Sequence, residues 1–325
     1  MIRLFLIRVV IAWACVAPLS HAQSPAKLQR IGVIHGGGHY QLFVDGLRGG
    51  LKDAGLVEGK HFVFHVRNAK GSPKEVDVVA KELESEQIDL LVTFTTSVTV
   101  RAKRATRSVP IVFYAGVDPV RAGLVKSFAK PGDRATGVHN PSTDLVPKRV
   151  EVLRRILPKA RRVLAFYSPE LEASTSNSLA LARQAAAKVG IQLMERRVAS
   201  ADDLIAQVSA IRPGDADALL SVGDTLVTSA LVPVIRVARE RKLPVIAHEL
   251  HLVESGAVAA YGADYVDLGR ALAKPVRLVL GGTAPQDIPV EIYDKVQLAL
   301  NLRVAKELGI TIPQPVILRA DQVIR

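Results

Sequence analysis

The chain has 325 residues, of which 49% are hydrophobic and 23% charged, and its formal net charge is +12 at pH 7. This length suits two domains of ordinary size, and this composition excludes an intrinsically disordered chain. The positive charge is dispersed over segments with helical patterning, which indicates solvated helix faces and not a nucleic-acid-binding surface.

Residues 1–22 have the pattern of a secretory signal peptide. Arg3 and Arg8 give a positive start, residues 9–19 form an apolar run, and small residues stand at the two positions that a signal peptidase recognises. The apolar run is shorter than the roughly 20 residues that span a bilayer. We expect cleavage after Ala22, which lowers the formal net charge from +12 to +10 by removing the two arginines. A buried N-terminal helix is the alternative.

Cys15 is the only cysteine of the chain, and it lies inside the predicted signal. The mature chain would therefore have no disulfide, no thiolate metal site and no cysteine nucleophile. Lipidation of Cys15 is an alternative, although Ala12 stands where such signals usually carry leucine.

From Arg30 onward, short apolar runs alternate with helical patterns. The first series predicts strands at residues 31–35, 62–66, 90–94 and 111–115, with helices at 43–51, 74–85 and 98–106. The second predicts helices at 145–157, 178–189, 203–211 and 227–241, with strands at 163–167, 191–195, 218–222 and 244–247. The tail predicts strands at 257–261 and 288–292 and helices at 265–280 and 296–308. Such alternation implies parallel sheets with helices on both faces.

Two series of similar size predict an α/β chain with two Rossmann-like lobes, and the single elements of the tail predict a chain that crosses between them three times. We expect crossings near residues 137–142, 261–265 and 284–290. The predicted lobes are residues 28–138 plus 263–284 and residues 139–262 plus 285–325. The three crossing strands would form a hinge, in which a few backbone torsions change while each lobe stays rigid.

Ligands of open parallel sheets bind beyond the carboxyl ends of the strands. Residues 35–39 (HGGGH) follow the first strand but form neither a P-loop nor a dinucleotide-binding fingerprint, so a flexible turn is the alternative. Thr95, Thr96 and Ser97 follow the third strand, where their hydroxyls would receive a ligand carboxylate or only cap a helix. Asp118 follows the fourth strand, where it would hold a ligand ammonium or only start a turn.

The second series offers a matching set of polar residues. Asn177 and Ser178 are predicted to begin a helix, and Asp224 and Thr225 follow the strand at residues 218–222. Asp224 is the strongest candidate for binding a ligand amino group, because a partly desolvated carboxylate makes strong charge-assisted hydrogen bonds. Its alternative is a helix N-cap.

Three further residues complete the predicted ring of polar and aromatic groups. Glu249 follows the strand at residues 244–247, and Tyr261 and Gly262 stand at the second crossing.

Patterns typical of enzymes are weak in this sequence. His248 and His251 are three residues apart, whereas zinc proteases need a four-residue gap. Ser127 and Lys130 match S-x-x-K, but the S-D-N and K-T-G motifs that accompany it elsewhere are missing. We therefore expect no catalytic residue, no metal and no cofactor.

Several stretches, taken in order, resemble the ABC transporter substrate-binding proteins of the tryptophan- and tyrosine-binding type. They are residues 55–60 (GLVEGK), 110–113 (PIVF), 118–125 (DPVRAGLV), 130–132 (KPG), 136–138 (TGV), 259–262 (AAYG), 280–285 (LGGTAP), 288–290 (IPV), 301–313 (NLRVAKELGITIP) and 319–324 (RADQVI). The resemblance runs from about residue 30 to the C-terminus. The glycine-rich first loop departs from the family pattern, and so does Gln322, where glutamate is commoner.

The resemblance implies the type I periplasmic binding protein fold, with an interlobe cleft that closes on a small solute. Family members bind their ligands through loops that match Thr95–Ser97, Asp118, Asn177–Ser178, Asp224–Thr225 and Tyr261–Gly262. The implied function is that of the periplasmic solute-binding component of an ABC importer, a monomer that delivers a small solute to a membrane permease. We expect an amino acid with an aromatic or branched side chain. The alternatives are an exported hydrolase and a ligand-sensing receptor on the same fold.

Overall fold

The computed structural model describes residues 28–168 and 173–325, so the predicted signal peptide with Cys15 lies outside the described residues. The strands are β1 (Gln29–His35), β2 (Phe62–Asn68), β3 (Leu90–Phe94), β4 (Ile111–Ala115), β5 (Ala135–His139), β6 (Arg162–Tyr167), β7 (Gln192–Arg197), β8 (Ala218–Leu220), β9 (Val245–Ala247), β10 (Ala259–Gly262), β11 (Glu291–Ile292), β12 (Gln297–Asn301) and β13 (Gln322–Ile324). The helices are α1 (Gln41–Asp53), α2 (Pro73–Ser85), α3 (Thr96–Ala105), α4 (Val146–Ile156), α5 (Ala173–Lys188), α6 (Ala201–Ser209), α7 (Thr225–Ser229), α8 (Leu231–Glu240), α9 (Tyr265–Leu280), α10 (Leu302–Glu307) and α11 (Gln314–Ile317).

Within the described ranges, the strands form two sheets. The first has the order β11-β5-β4-β3-β1-β2, and all its pairings are parallel. The second has the order β13-β12-β10-β9-β8-β6-β7 and is parallel except between β10 and β12. This is the α/β architecture with two Rossmann-like lobes that the sequence predicts. None of the described helices has the length and apolar character needed to cross a bilayer.

Buried hydrophobic side chains cover both faces of each sheet, because successive strand residues point to opposite faces. On the first sheet, Ile31 and Val33 pack with α1 and α9, whereas Ile34 packs with α2 and α3. On the second sheet, Val163 packs with α4 and α5, whereas Leu164 packs with α6 and α8. Each lobe is therefore a three-layer sandwich with its own core.

The chain passes between the two sheets three times: from β5 to α4, from β10 to α9, and from β11 to β12. The third passage falls at residues 293–296 and not at 284–290, because β11 still pairs with β5. The Thr136 hydroxyl also donates to the Ile288 carbonyl at 2.7 Å. Residues 285–292 therefore pack with the first sheet, which corrects the lobe boundary expected at residue 285.

Two of the predicted helices differ in part from the structure, so these predictions are wrong in part. Residues 297–301, expected as the first part of a helix, form β12, whose last four residues are buried. A short apolar run buried on both faces has no periodicity that separates a strand from a helix. The helix expected at residues 227–241 is divided into α7 and α8 at Ala230, and α7 begins at Thr225.

Two glycines allow α1 and α9 to pack at very short range. A β-carbon on Gly46 would lie 2.0 Å from the carbonyl oxygen of Val266, and one on Gly269 would lie 2.2 Å from that of Phe43. The helix α9 begins just after the second crossing, where the Asp264 carboxylate accepts the amide protons of Val266 and Asp267 at 2.7 and 3.0 Å. This packing fixes the second crossing to the first lobe.

We predict that Gly46→Ala lowers the free energy of unfolding by about 1–3 kcal/mol, because the added methyl overpacks against a backbone that cannot move aside. Gly49→Ala, in the same helix, is the matched control. There the new β-carbon meets only the end of the flexible Arg270 side chain, at 3.2 Å. The control should be neutral or stabilising by up to about 1 kcal/mol, because alanine has the higher helix propensity. Urea unfolding of both variants measures the difference, and equal effects would contradict it.

Candidate functional site

A small cavity lies between the two lobes, at the carboxyl ends of strands from both sheets. Its walls come from residues at or after the ends of β1, β3, β4 and β5 of the first sheet and of β6, β8, β9 and β10 of the second. Its volume is about 40 Å³, which leaves room for roughly three water molecules. The position is the one that open parallel sheets use for ligands.

The structure brings several of the predicted site residues together here. Thr95, Thr96, Ser178 and Thr225 line the cavity. Ser97 Oγ lies 3.1 Å from Thr225 Oγ1, a hydrogen bond that joins the first lobe to the second. The hydroxyl side chains that the sequence predicts at the strand ends therefore meet across the two lobes.

Asn177 and Ser178 lie in the second turn of α5 and not at its start, since this helix already begins at Ala173. The Asn177 side-chain amide donates to Thr143 Oγ1 at 3.3 Å. Thr143 and Ser178 line the cavity, whereas Asn177 does not. The Ser178 hydroxyl is fully buried and has no hydrogen-bond partner among the described residues.

Thr95 has a strained backbone, with φ of 85°, a conformation that costs a β-branched residue of order 1–3 kcal/mol. Local hydrogen bonds hold it there. The Thr99 hydroxyl donates to the Thr95 carbonyl at 2.7 Å, and Thr95 Oγ1 lies 3.2 Å from Ser97 Oγ. The side chain also caps α3 by accepting from the Val98 amide at 3.4 Å. Thr95 and Thr96, the first residue of α3, both line the cavity.

The glycine-rich loop after β1 contacts the second lobe. A β-carbon on Gly36 would lie 2.8 Å from Thr225 Cγ2, and one on Gly38 would lie 3.0 Å from the carbonyl oxygen of Ser229. Gly38 also has φ of 55°, in the region that favours glycine. These glycines therefore allow the lobes to approach each other closely, a role that the sequence analysis did not assign to them.

Asp224, the sequence candidate for a ligand amino group, is buried and does not line the cavity. One carboxylate oxygen accepts from the Ser168 amide at 3.0 Å, the Ser168 hydroxyl at 2.9 Å and the Thr175 hydroxyl at 3.1 Å. The other accepts from the Val227 amide at 3.0 Å. Four donors occupy the sites that a carboxylate offers, so the geometry favours the alternative of a helix cap.

Three other predicted residues also lie outside the cavity walls. The Asp118 carboxylate accepts from the amides of Val120 and Arg121, at 2.8 and 3.1 Å, as a turn residue does. The Tyr261 backbone carbonyl accepts a side-chain hydrogen bond from α4. Gly262 gives room to the backbone, because a β-carbon there would lie 2.1 Å from the carbonyl oxygen of His248.

Arg149 lines the cavity but is not among the residues that the sequence predicts for the site. Its side chain is 1% exposed and lines the cavity. Nε donates to the Tyr261 carbonyl at 2.8 Å, whereas Nη2 has no hydrogen-bond partner among the described residues. Burial lowers the pKa of Arg149 to about 10, against the opposing influence of nearby tyrosines and Glu249, so the guanidinium stays charged at neutral pH.

A signal for Arg149 was present in the sequence. The sequence analysis assigned the positive charge of the helical segments, which includes Arg149, to solvated helix faces. However, Arg149 lies three residues after Val146 and four before Leu153, both buried, so it falls on the apolar stripe of α4. A charged residue on such a stripe is buried, and buried charges need partners.

A histidine–carboxylate cluster, defined by His39, His248, Glu249, His251 and Asp264, lies beside the cavity. Glu249 is 1% exposed and does not line the cavity, although His248 does. Its carboxylate oxygens lie 3.3 Å from His248 Nε2 and 3.5 Å from His39 Nδ1. Burial alone would raise the pKa of Glu249, but the two imidazoles lower it to about 2. Because His39 belongs to the first lobe, the cluster joins both lobes.

Residues 31–324 match the model of the family described as ABC transporter substrate binding protein. The chain belongs to this family. Its members are extracytoplasmic solute-binding proteins, and it is not a family of enzymes. A tyrosine-binding protein of Clostridioides difficile (strain R20291) is 30% identical over 258 residues, which are 79% of this chain and 74% of that protein.

Two solved structures show the same fold, that of the type I periplasmic binding proteins. The ABC domain in complex with L-Trp from Streptococcus pneumonia has 28% sequence identity and a TM-score of 0.80, with 91% of this chain and 100% of that chain covered. The ligand-free, open structure of a substrate-binding protein with adhesive properties from Clostridium difficile has 27% identity and a TM-score of 0.59, with 91% and 99% covered.

We predict that Asp224→Asn lowers the free energy of unfolding by about 2–4 kcal/mol, because an amide nitrogen would face one or more of the four buried donors. Asp118→Asn is the control and should cost less than about 0.5 kcal/mol, since an exposed turn keeps an acceptor oxygen. Chemical unfolding of both variants measures the effect. A neutral Asp224→Asn would show that its hydrogen bonds do not hold α5 and α7 together.

We predict a pH-dependent contribution from His251. Its Nε2 lies 3.4 Å from Asp264 Oδ2, and this carboxylate raises the pKa of His251 despite burial. A raised pKa stabilises the folded state at pH values below the unfolded value of about 6.5, and this stability is lost as the pH rises through the folded pKa. The Tm difference between the wild type and His251→Gln should therefore be larger at pH 6 than at pH 9. Equal differences at both pH values would show that the pair does not contribute.

Proposed function

We propose that this chain is the periplasmic solute-binding component of an ABC importer and that it binds an amino acid with an aromatic or branched side chain between its lobes. The observation that carries the proposal is the interlobe cavity, where hydroxyls from both lobes and the buried guanidinium of Arg149 converge. Two relatives support the ligand class, since one is a tyrosine-binding protein and the other was solved in complex with L-Trp.

The proposal includes a closing movement of two lobes, residues 28–139 plus 263–292 and residues 140–262 plus 293–325. The chain matches the L-Trp complex with a TM-score of 0.80 but the open structure with only 0.59, at nearly equal identity. The bond between Ser97 and Thr225 likewise holds the lobes together. A cavity of about 40 Å³ is too small for an amino acid to enter. Binding therefore requires the lobes to separate first.

The partners follow from this function. A solute-binding component delivers its ligand to a membrane permease, so we propose an ABC permease as the protein partner and a monomer as the working state. The signal-peptide pattern of residues 1–22 supports export to the periplasm. Export is also consistent with a mature chain that lacks cysteine, because Cys15 would be removed.

The first test is a thermal-unfolding screen of residues 23–325 against amino acids, nucleosides and sugars. A ligand at 100 times its Kd adds about 2.7 kcal/mol to the stability of the folded protein. We expect the largest increase in Tm with aromatic or branched amino acids. A response only to sugars or nucleosides would overturn the proposed ligand class, and turnover of the bound solute would favour the hydrolase alternative.

The second test locks the lobes together. The hydroxyl oxygens of Ser97 and Thr225 lie 3.1 Å apart, so a Ser97→Cys, Thr225→Cys double variant should form an interlobe disulfide after a small adjustment. Oxidation without ligand should abolish the thermal response to solute, and reduction should restore it. Each single variant is the control, and its response should not depend on redox conditions. An oxidised double variant that binds as fast as the reduced one would contradict the closing movement.

A further inference from the structure

Among the residues that the structure describes, the cavity wall contains a buried positive charge but no carboxylate. Arg149 is buried, its Nε is engaged by the Tyr261 carbonyl, and its Nη2 has no partner among the described residues. No aspartate or glutamate of the described ranges lines the cavity. A charged guanidinium without a counter-ion in the same space is a costly arrangement, and it becomes favourable when an anion binds.

The nearby carboxylates do not line the cavity. Asp224 accepts four hydrogen bonds from its own lobe. Glu249 is held at ion-pair distance from His248 and His39 and does not reach the cavity wall. A ligand ammonium group would therefore find hydroxyls in the described walls of this cavity but no carboxylate.

The other cavity groups fit the same chemistry. Ser178 adds a second buried donor without a partner. Burial raises the pKa of Tyr114 to about 12, so this phenol stays neutral and keeps its proton. Tyr40 and Tyr265 line the same cavity, and their rings stack at 5.7 Å. The cavity thus combines one cation, neutral hydroxyls and aromatic faces.

We infer that Arg149 anchors the carboxylate of the solute, and that the cavity selects carboxylic acids with an aromatic or branched hydrocarbon chain, whether or not they carry a 2-amino group. The planar fork of Arg149 suits a carboxylate, to which Nη2 would donate with the Ser178 hydroxyl beside it. This inference rests on the proposed function, because it requires a solute in the interlobe cavity. It differs from the proposed function in one respect: the 2-amino group of the solute is not needed for binding.

Matched ligand sets test the inference by calorimetry at pH 7.5. One set is L-phenylalanine, 3-phenylpropanoate and phenethylamine; the other is L-leucine, 4-methylpentanoate and 3-methylbutylamine. In the set that binds, we expect the two acids to have affinities within about tenfold of each other and the amine to bind at least about 100-fold more weakly, the size of a lost charge-assisted contact in a buried site. Arg149→Gln should weaken both acids by a similar factor. Lys148→Gln removes a charge from the exposed face of the same helix and should change neither.

A stability measurement separates an anchor from a structural residue. We expect Arg149→Met to leave the ligand-free Tm unchanged or to raise it, because it removes a buried charge whose Nη2 has no hydrogen-bond partner among the described residues. A marked fall in Tm would show that Arg149 supports the fold and would overturn the inference.

Each remaining outcome of the calorimetry and of the ligand screen also decides whether the inference holds. The inference fails if an amine binds as tightly as its acid, if only the amino acids bind, or if Arg149→Gln leaves the affinity within threefold. Binding of a neutral sugar or nucleoside alone would overturn the inference and leave a solute receptor standing. If no solute of any class binds, both the inference and the proposed function fail.

Discussion

Parallel strands that lead into helices must end at one edge of their sheet, and in this chain the edges of two sheets meet at one cavity because the backbone crosses between them three times. The site depends on this constraint. It brings the first turns of α3 and α7 to the same place, where Ser97 and Thr225 form a hydrogen bond. It also places the second crossing beside α4, so that the Tyr261 carbonyl receives Arg149 Nε.

Hydrogen bonding is unevenly distributed in the described part of the chain. The buried side-chain atoms without a hydrogen-bond partner belong to residues at the cavity, in the histidine–carboxylate cluster or at the first crossing: His39, Asn140, Arg149, Ser178, Glu249 and His251. The cores of both lobes are instead built from apolar layers. Unsatisfied buried groups are costly, and only those of Arg149 and Ser178 line the cavity, where a ligand would supply partners.

Asp224 and Arg149 show why the type and position of a residue are not sufficient to assign a ligand contact. Both are buried charges beside the same cavity. Asp224 is saturated by donors from Ser168, which follows β6, and from α5 and α7, so it stabilises the lobe. Arg149 donates through Nε, but its Nη2 has no hydrogen-bond partner among the described residues, so it has capacity left for a solute. The number of remaining hydrogen-bond sites distinguishes the two roles.

The sequence by itself determined the order of most strands and helices, because local periodicity and the residues that begin and end helices act within a few positions of the chain. β3, β4 and α9 have the predicted bounds for this reason. The sequence also predicts which loops line the cavity, because these loops follow the carboxyl ends of the predicted strands. Only the tertiary structure decided that residues 297–301 form a strand, that Gly36 and Gly38 serve lobe contact, and which charge faces the cavity. These features depend on partners distant in sequence, and no local pattern specifies the hydrogen bonds that such partners make.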